Sequence, residues 1–262
     1  MSNDLLFEVK DKVAIMTLNR PEALNAFTPG MLTGWVERLE EAQRRDDVNA
    51  LVVTGAGRGF CSGGDVKRMG EGADNSVSTT KNRLWTMTQM VAKRMIQFDK
   101  PTIAAINGVA AGGGLDIALC CDIRVTAESA RVAETYARIG LLPGAGGAWH
   151  LPRIVGKAKA LEMFWTCDFV EAREAKEIGL VSHVWPDAQL MDRTLELAAK
   201  IARGAPLSNR LIKRTLNQGL DTDLWTHLDQ ISSHIAVVRS TEDHQEAIRA
   251  FKEKRQPVFK GR

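Results

Sequence analysis

The sequence predicts an α/β fold built on a largely parallel sheet. Two patterns predict it. Short apolar runs alternate with helically spaced segments as far as about residue 150, and beyond that point the chain reads as mostly helical. Glycine-bearing turns follow two of the strand-like runs, and such turns let backbone N–H groups approach a ligand closely.

Taken in order, Leu5 to Val9 and Val13-Ala14-Ile15-Met16-Thr17-Leu18 read as a hairpin turning at Lys10-Asp11-Lys12. Thr28-Pro29 places a cap before a first-turn proline, and Met31, Leu32, Trp35, Leu39 and Ala42 then recur at helical spacing. Ala50 to Thr54 is the next strand, followed by a glycine-rich loop from Gly55 to about Gly72. The polar segment Glu71 to Thr80 reads as a mobile loop. A helix is expected from about Asn82 to Phe98, a strand at Thr102 to Ile106, a helix through Ala118 and Leu119, and a strand at Ile123 to Thr126. Six amphipathic helices are expected after that: 157–165, 172–178, 189–202, 208–218, 225–238 and 241–254. A division into a core over 1–200 and a helical region over 201–262 follows. Those last helices must dock on the core or on another subunit to bury an apolar face.

With 262 residues, 44% hydrophobic and 26% charged, the chain can bury a sizeable core. Its net charge of +3 does not suggest a nucleic-acid partner, and the basic stretch from Lys252 to Arg255 reads as a solvated helix end. Cys61, Cys120, Cys121 and Cys167 lack metal-ligand or redox spacing, and the five histidines are scattered, so no metal site is expected. Met1 to Glu8 has no signal-peptide pattern, which points to the cytoplasm. Pro101 to Cys121 is interrupted by Asn107, Asp116 and glycines, so it reads as strand, turn and helix rather than a membrane span.

Gly59-Phe60-Cys61-Ser62-Gly63-Gly64-Asp65 and Gly112-Gly113-Gly114 fit no nucleotide-binding motif. Either turn could exist for close packing alone. Together they could supply one backbone N–H each to an oxyanion hole, the device that stabilises charge developing on a carbonyl oxygen. Asp116, in the first turn of the following helix, is the other candidate for chemistry, since the amide dipoles there favour a negative charge without making it catalytic by themselves. Cys61 has no histidine nearby in sequence and reads as packing.

The chain resembles the crotonase family of enoyl-CoA hydratases and isomerases. The resemblance lies in Asn25-Ala26, the segment from Phe60 to Lys67, Pro101 to Gly108, Ala111 to Gly114, Cys121 to Arg124, Gly140 to Gly147, Leu151 to Gly156, Ala175 to Val181 and Phe251 to Arg255. It implies a crotonase-like spiral of ββα units with two roughly perpendicular sheets and a C-terminal helical trimerisation region, assembled as a homotrimer or a dimer of trimers. It implies an acyl-CoA thioester substrate whose enolate is held by the N–H groups of Gly64 and Gly113. Cys61, Gly63, Gly64, Asp65, Val66, Lys67 and Gly113 would contact the substrate, and no cofactor beyond the coenzyme A carried by that substrate is implied. The family's two hydratase glutamates align with Asp116 and Tyr136, which makes these the catalytic candidates, with Glu134 a possible substitute for the second carboxylate. Gly144 stands where some relatives carry a catalytic aspartate. Besides hydration or isomerisation, the resemblance admits an acyl-CoA decarboxylase or hydrolase using Asp116 and Tyr136, or an acyl-CoA- or RNA-binding relative with little turnover.

Overall fold

A computed structural model of the chain describes residues 3–65 and 76–262. Strands β1 (Leu5–Lys10) and β2 (Val13–Leu18) form the expected antiparallel hairpin. Its turn residues Asp11 and Lys12 both take positive φ, 50° and 64°, as a tight turn matched to strand twist requires. Helix α1 (Pro29–Arg44) starts where predicted. Thr28 Oγ1 accepts from the Met31 N–H at 3.0 Å, and the five apolar residues picked out by spacing are its buried face.

The body of the chain is a spiral in which strands come in pairs. Strand β3 (Ala50–Gly55) is followed by β4 (Gly59–Cys61), β5 (Thr102–Ile106) by β6 (Val109–Ala111), and β7 (Ile123–Ala127) by β8 (Arg131–Ala133). The first member of each pair joins a six-stranded sheet, and the second joins a four-stranded one. With β9 (Val170–Glu171) and β10 (His183–Trp185), the orders are β1-β2-β3-β5-β7-β10 and β4-β6-β8-β9. Apart from the β1/β2 and β8/β9 pairs, every pairing is parallel. Strand β5 is buried along its whole length, as parallel strands covered on both faces are. The sequence reading placed β4 inside a loop and did not resolve β6 or β8, because two or three residues carry no usable periodicity.

Helix α2 (Val77–Arg83), a π-helical turn (Leu84–Thr88) and α3 (Gln89–Gln97) replace the single helix expected from Asn82. The expected loop over Ser76 to Thr80 is corrected here. Ser76 is an N-cap, its Oγ accepting from the Thr79 N–H at 3.3 Å, and helix begins at Val77. The rest of that predicted loop, Glu71 to Asn75, lies outside the described residues. Helix α4 (Gly113–Leu119) is wholly buried, packed against β4, β6 and the helix Gly147–Val155. Beyond β8 come α5 (Gly147–Val155), which was not foreseen, α6 (Lys157–Thr166), α7 (Ala172–Glu177), α8 (Leu190–Ala202), α9 (Pro206–Gly219), α10 (Leu224–Arg239) and α11 (Glu242–Glu253). Among the described residues no helix is long and apolar enough to cross a membrane.

Helix α9 is tied to the spiral by charge. Arg210 pairs with Asp99 at 2.6 Å, and Lys213 with Asp122 at 2.8 Å. The apolar faces further on are left open, with Trp225 83% and Phe251 85% exposed. Asp122 also accepts from the Thr102 N–H at 2.7 Å and its Oγ1 at 2.9 Å, so one carboxylate joins β5, β7 and α9. Asp122→Ala leaves these donors without their acceptor, and we expect a loss of roughly 2–3 kcal/mol, read as a lower denaturant midpoint. An unchanged midpoint would show that the tie contributes nothing.

Candidate active site

Three parallel neighbours of the small sheet, β4, β6 and β8, end side by side, and the chain leaving each one delivers a different part of the site. Ligand sites in α/β folds form at the carboxyl ends of parallel strands. From β4 comes Cys61-Ser62-Gly63-Gly64, from β6 the run Gly112 to Gly114 with Asp116, and from β8 Glu134 and Tyr136.

The two glycine turns touch backbone to backbone. A Cβ on Gly63, whose φ is +82°, would sit 2.8 Å from the Gly113 N and 3.2 Å from the Gly114 N, and one on Gly114 would overlap the Cys61 carbonyl. Gly112, at φ +50°, turns the chain from β6 into α4, its N–H held by the Ala133 carbonyl at 2.9 Å. Gly113 is the first residue of α4, where N–H groups have no acceptor within the helix. On the other side, Phe27 bridges to Gly64 and its N–H donates to the Gly63 carbonyl at 2.8 Å.

A buried side chain that the sequence marked only as part of the family resemblance positions this turn. Asn25 is fully buried, and its Nδ2 donates to the carbonyls of Ala56, Gly59 and Phe60 at 3.0, 2.8 and 3.1 Å, while Oδ1 accepts from the Arg20 N–H at 2.7 Å. Its backbone carbonyl takes the Cys61 thiol at 3.1 Å. Its φ is +57°, a conformation that asparagine tolerates better than most residues.

Asp116, Glu134 and Tyr136 meet. The Tyr136 hydroxyl donates to Asp116 Oδ2 at 2.6 Å, and the Ala145 N–H donates to the same oxygen at 2.8 Å. Asp116 and Glu134 are both fully buried, and burial raises both carboxyls above their ordinary range. Asp116 is partly compensated by Tyr136 and by the amides of Ala145 and Gly147, while Glu134 has the adjacent Asp116 pushing it up further. Burial, with Asp116 beside it, also raises the Tyr136 phenol far above its usual value, so its proton stays on. The phenol lies against the glycine turn, since a Cβ on Gly113 would be 3.6 Å from the Tyr136 oxygen.

The remaining sequence candidates divide. The Cys61 side chain is fully buried, its sulfur accepts from the Gly63 N–H at 3.4 Å, and burial pushes its thiol up to about 12, so it packs under the turn as a neutral thiol. Asp65 is half-buried, 4.0 Å from the Arg20 guanidinium. Val66 and Lys67 lie outside the described residues. Gly144 sits over the π-helical turn, where a Cβ would be 3.4 Å from Leu84 Cδ1. A cleft of about 900 Å³ lies behind α4, lined in part by Cys120, Arg124, His150 and Lys213, and includes neither Asp116 nor the glycine turns.

The spiral of paired strands brings the apposed glycine turns and the buried acid together at one end of the small sheet. Residues 8–262 match the family model described as enoyl-CoA hydratase/isomerase. The chain is 37% identical over 261 residues to the 2,3-dehydroadipyl-CoA hydratase of Escherichia coli, covering 99% of this chain and 100% of that one. It is likewise 37% identical to the short-chain-enoyl-CoA hydratase of Clostridium acetobutylicum, over 97% and 96% of the two chains. The crystal structure of an enoyl-CoA hydratase from Bacillus anthracis superposes with a TM-score of 0.94 at 34% identity, over 99% of this chain and 100% of that one. The chain belongs to the enoyl-CoA hydratase/isomerase family, the crotonases, and is an enzyme of that family.

Gly147 has no room for a side chain, because a Cβ there would overlap Asp116 Oδ1 and lie 3.1 Å from Glu134 Oε1. Gly147→Ala is therefore expected to leave a folded protein but displace Asp116, lowering kcat by about 100-fold or more, as small misplacements at a reacting centre do. Steady-state kinetics with circular dichroism as the folding control decides it, and wild-type kcat would remove the constraint.

Proposed function

We propose that the site binds the thioester carbonyl of an enoyl-CoA between the N–H groups of Gly64 and Gly113 and stabilises the enolate that forms there. A single such donor contributes about 2.7–4 kcal/mol to lowering a barrier. What supports the reading is the Tyr136–Asp116 hydrogen bond of 2.6 Å lying against Gly113. Tyr136 is the half-buried member of that pair and Asp116 the fully buried one, so the phenol would face the substrate and the carboxylate would stand behind it.

In this mechanism the phenolic oxygen takes a proton from water or substrate while its own proton passes to Asp116 Oδ2, and the same two transfers then run backwards to the enolate. In hydration, a water oxygen bonds to Cβ as the enolate forms, and the water's proton returns to Cα. In isomerisation, a proton leaves Cα and returns to Cγ as the double bond moves. Neither route oxidises or reduces anything, so no cofactor is needed beyond the coenzyme A of the substrate. Decarboxylation gains less from a pair poised to accept a proton first, because its enolate forms as carbon dioxide leaves. We further propose that the open apolar faces of α10 and α11, carrying Trp225 and Phe251, are covered by other copies in a trimer or a pair of trimers.

Incubation with a panel of short acyl-CoAs followed by mass spectrometry tests this directly. The expected product gains one water or keeps its mass with altered chromatographic mobility. Loss of carbon dioxide or release of free coenzyme A would replace the reading by another. Tyr136→Phe and Asp116→Asn are each expected to lower kcat by about 10²–10⁴-fold, the usual contribution of general acid–base groups, with little change in KM.

The pH dependence follows from the raised Asp116 carboxyl. The charged form is needed, so kcat/KM should rise with pH through a midpoint above the ordinary aspartate value of about 3.9. Tyr136→Phe removes a donor that lowers Asp116 and should move that midpoint higher still.

A further inference from the structure

Asp116 and Glu134 are carboxyl against carboxyl in a space closed to water. Both are fully buried, and their oxygens converge on one point, the space above the Gly147 Cα. Asp116 Oδ2 is supplied with two donors, the Tyr136 hydroxyl and the Ala145 N–H. Asp116 Oδ1 and both Glu134 oxygens are buried with no well-formed hydrogen bond from any N–H or hydroxyl of the described residues. Two carboxylates facing each other would be two acceptors and two charges with nothing between them, an arrangement that burial makes very costly. One proton placed between them converts the repulsion into a hydrogen bond. The donors decide where the remaining charge sits. Asp116 has two, with the Gly147 amide alongside, and Glu134 has none, so the charge belongs on Asp116.

The surroundings do not offer another solution. Cys120 just after α4 and Cys167 after α6 are the other titratable groups felt by the pair, and burial raises the Cys120 thiol. His150 of α5, 3.7 Å from Cys120 Sγ, is held neutral by a pKa lowered to about 4 by burial. Among the described residues no lysine, arginine or histidine forms an ion pair with either carboxyl.

We propose that Glu134 is a positioning residue, a neutral carboxylic acid that donates its hydrogen to Asp116 Oδ1, so that the two side chains keep one proton and one negative charge between them through the resting state. The role rests on the proposed proton path through Tyr136, and it gives that path its direction. The resting group carries one charge and becomes neutral on accepting a proton. Giving one up first would leave two charges in a dry pocket. The enzyme therefore takes a proton before it returns one, and Asp116 is restored to the same state after each turnover. Glu134 touches no substrate in this scheme.

Glu134→Gln separates this role from that of an ionised base, because glutamine is neutral and keeps an N–H donor for Asp116. We expect kcat within about threefold of wild type at neutral pH. Glu134→Met, of similar length without a donor, should lower kcat about 10–100-fold with KM little changed and move the acid limb of kcat/KM to higher pH, since Asp116 loses a hydrogen bond that favours its charge. Glu134→Gln falling as far as Asp116→Asn, or Glu134→Met leaving the pH profile in place, overturns the proposal.

A second readout does not depend on turnover. Infrared difference spectra of wild type against Glu134→Gln at neutral pH should show the carbonyl stretch of a protonated carboxyl in wild type alone. Its absence from wild type overturns the proposal even if the enzyme is active, and its presence upholds it even if no enoyl-CoA is turned over. The sign of the linkage gives a third check. A carboxyl raised in the folded state stabilises at low pH and loses that contribution as pH rises. Above the unfolded value of about 4.3, wild type should therefore lose up to about tenfold in folding constant per pH unit relative to Glu134→Gln, until Glu134 ionises in the fold. Parallel stability curves for the two proteins overturn the proposal.

Discussion

The structure depends on successive turns of its spiral lying on one another backbone to backbone. At Gly63 and Gly114 a side chain would collide with the main chain of the neighbouring turn, and at Gly108 it would collide with the Arg58 carbonyl. Close backbone approach of this kind is open only to glycine. It brings β4, β6 and β8 into parallel register, with their three exits side by side. Corner side chains then lock the arrangement. Asn107 accepts from the Gly55 N–H at 3.1 Å and donates to the Gly57 carbonyl at 2.9 Å, tying the β3–β4 corner to the one after β5. Asn25 holds the same corner from within. Polar groups that would otherwise be orphaned by the sharp turns are thereby satisfied, and the glycine turns gain a rigid support.

Charge in the pocket is managed almost wholly by main-chain amides, a phenol and a shared proton. Among the described residues no basic side chain forms an ion pair with Asp116. Such a cation would hold the carboxylate as a permanent anion and weaken it as a proton acceptor. Leaving the pair poorly compensated keeps its proton affinity high, which suits a group that must accept and return a proton within one catalytic cycle.

Much of this was legible in the chain. The hairpin, the Thr28 cap and the buried face of α1 follow from local pattern, because a period of two or 3.6 over six to sixteen residues is informative. Gly113, Asp116 and Tyr136 stood out by motif and by alignment with the family. The three short strands did not, since their pairing is decided by neighbours far away in sequence. Val77 to Thr80 read as loop because its residues are polar, yet a serine cap was enough to start a helix there. Glu134 was recognised as a carboxylate near Tyr136, but its contact with Asp116 is a matter of tertiary placement. The Ala145 amide has no sequence signature at all, since every residue other than proline carries the same group.

Tyr136 is the only tyrosine in the chain. Its phenol is hydrogen-bonded to the buried acid and lies against the first turn of α4. Biosynthetic replacement of tyrosine by a fluorinated analogue would therefore place one nucleus in the whole protein, and place it against the buried acid. The molecule carries its own spectroscopic label, and a change of charge or contact around that acid can be followed as the behaviour of a single resonance, with no engineered probe to disturb the packing.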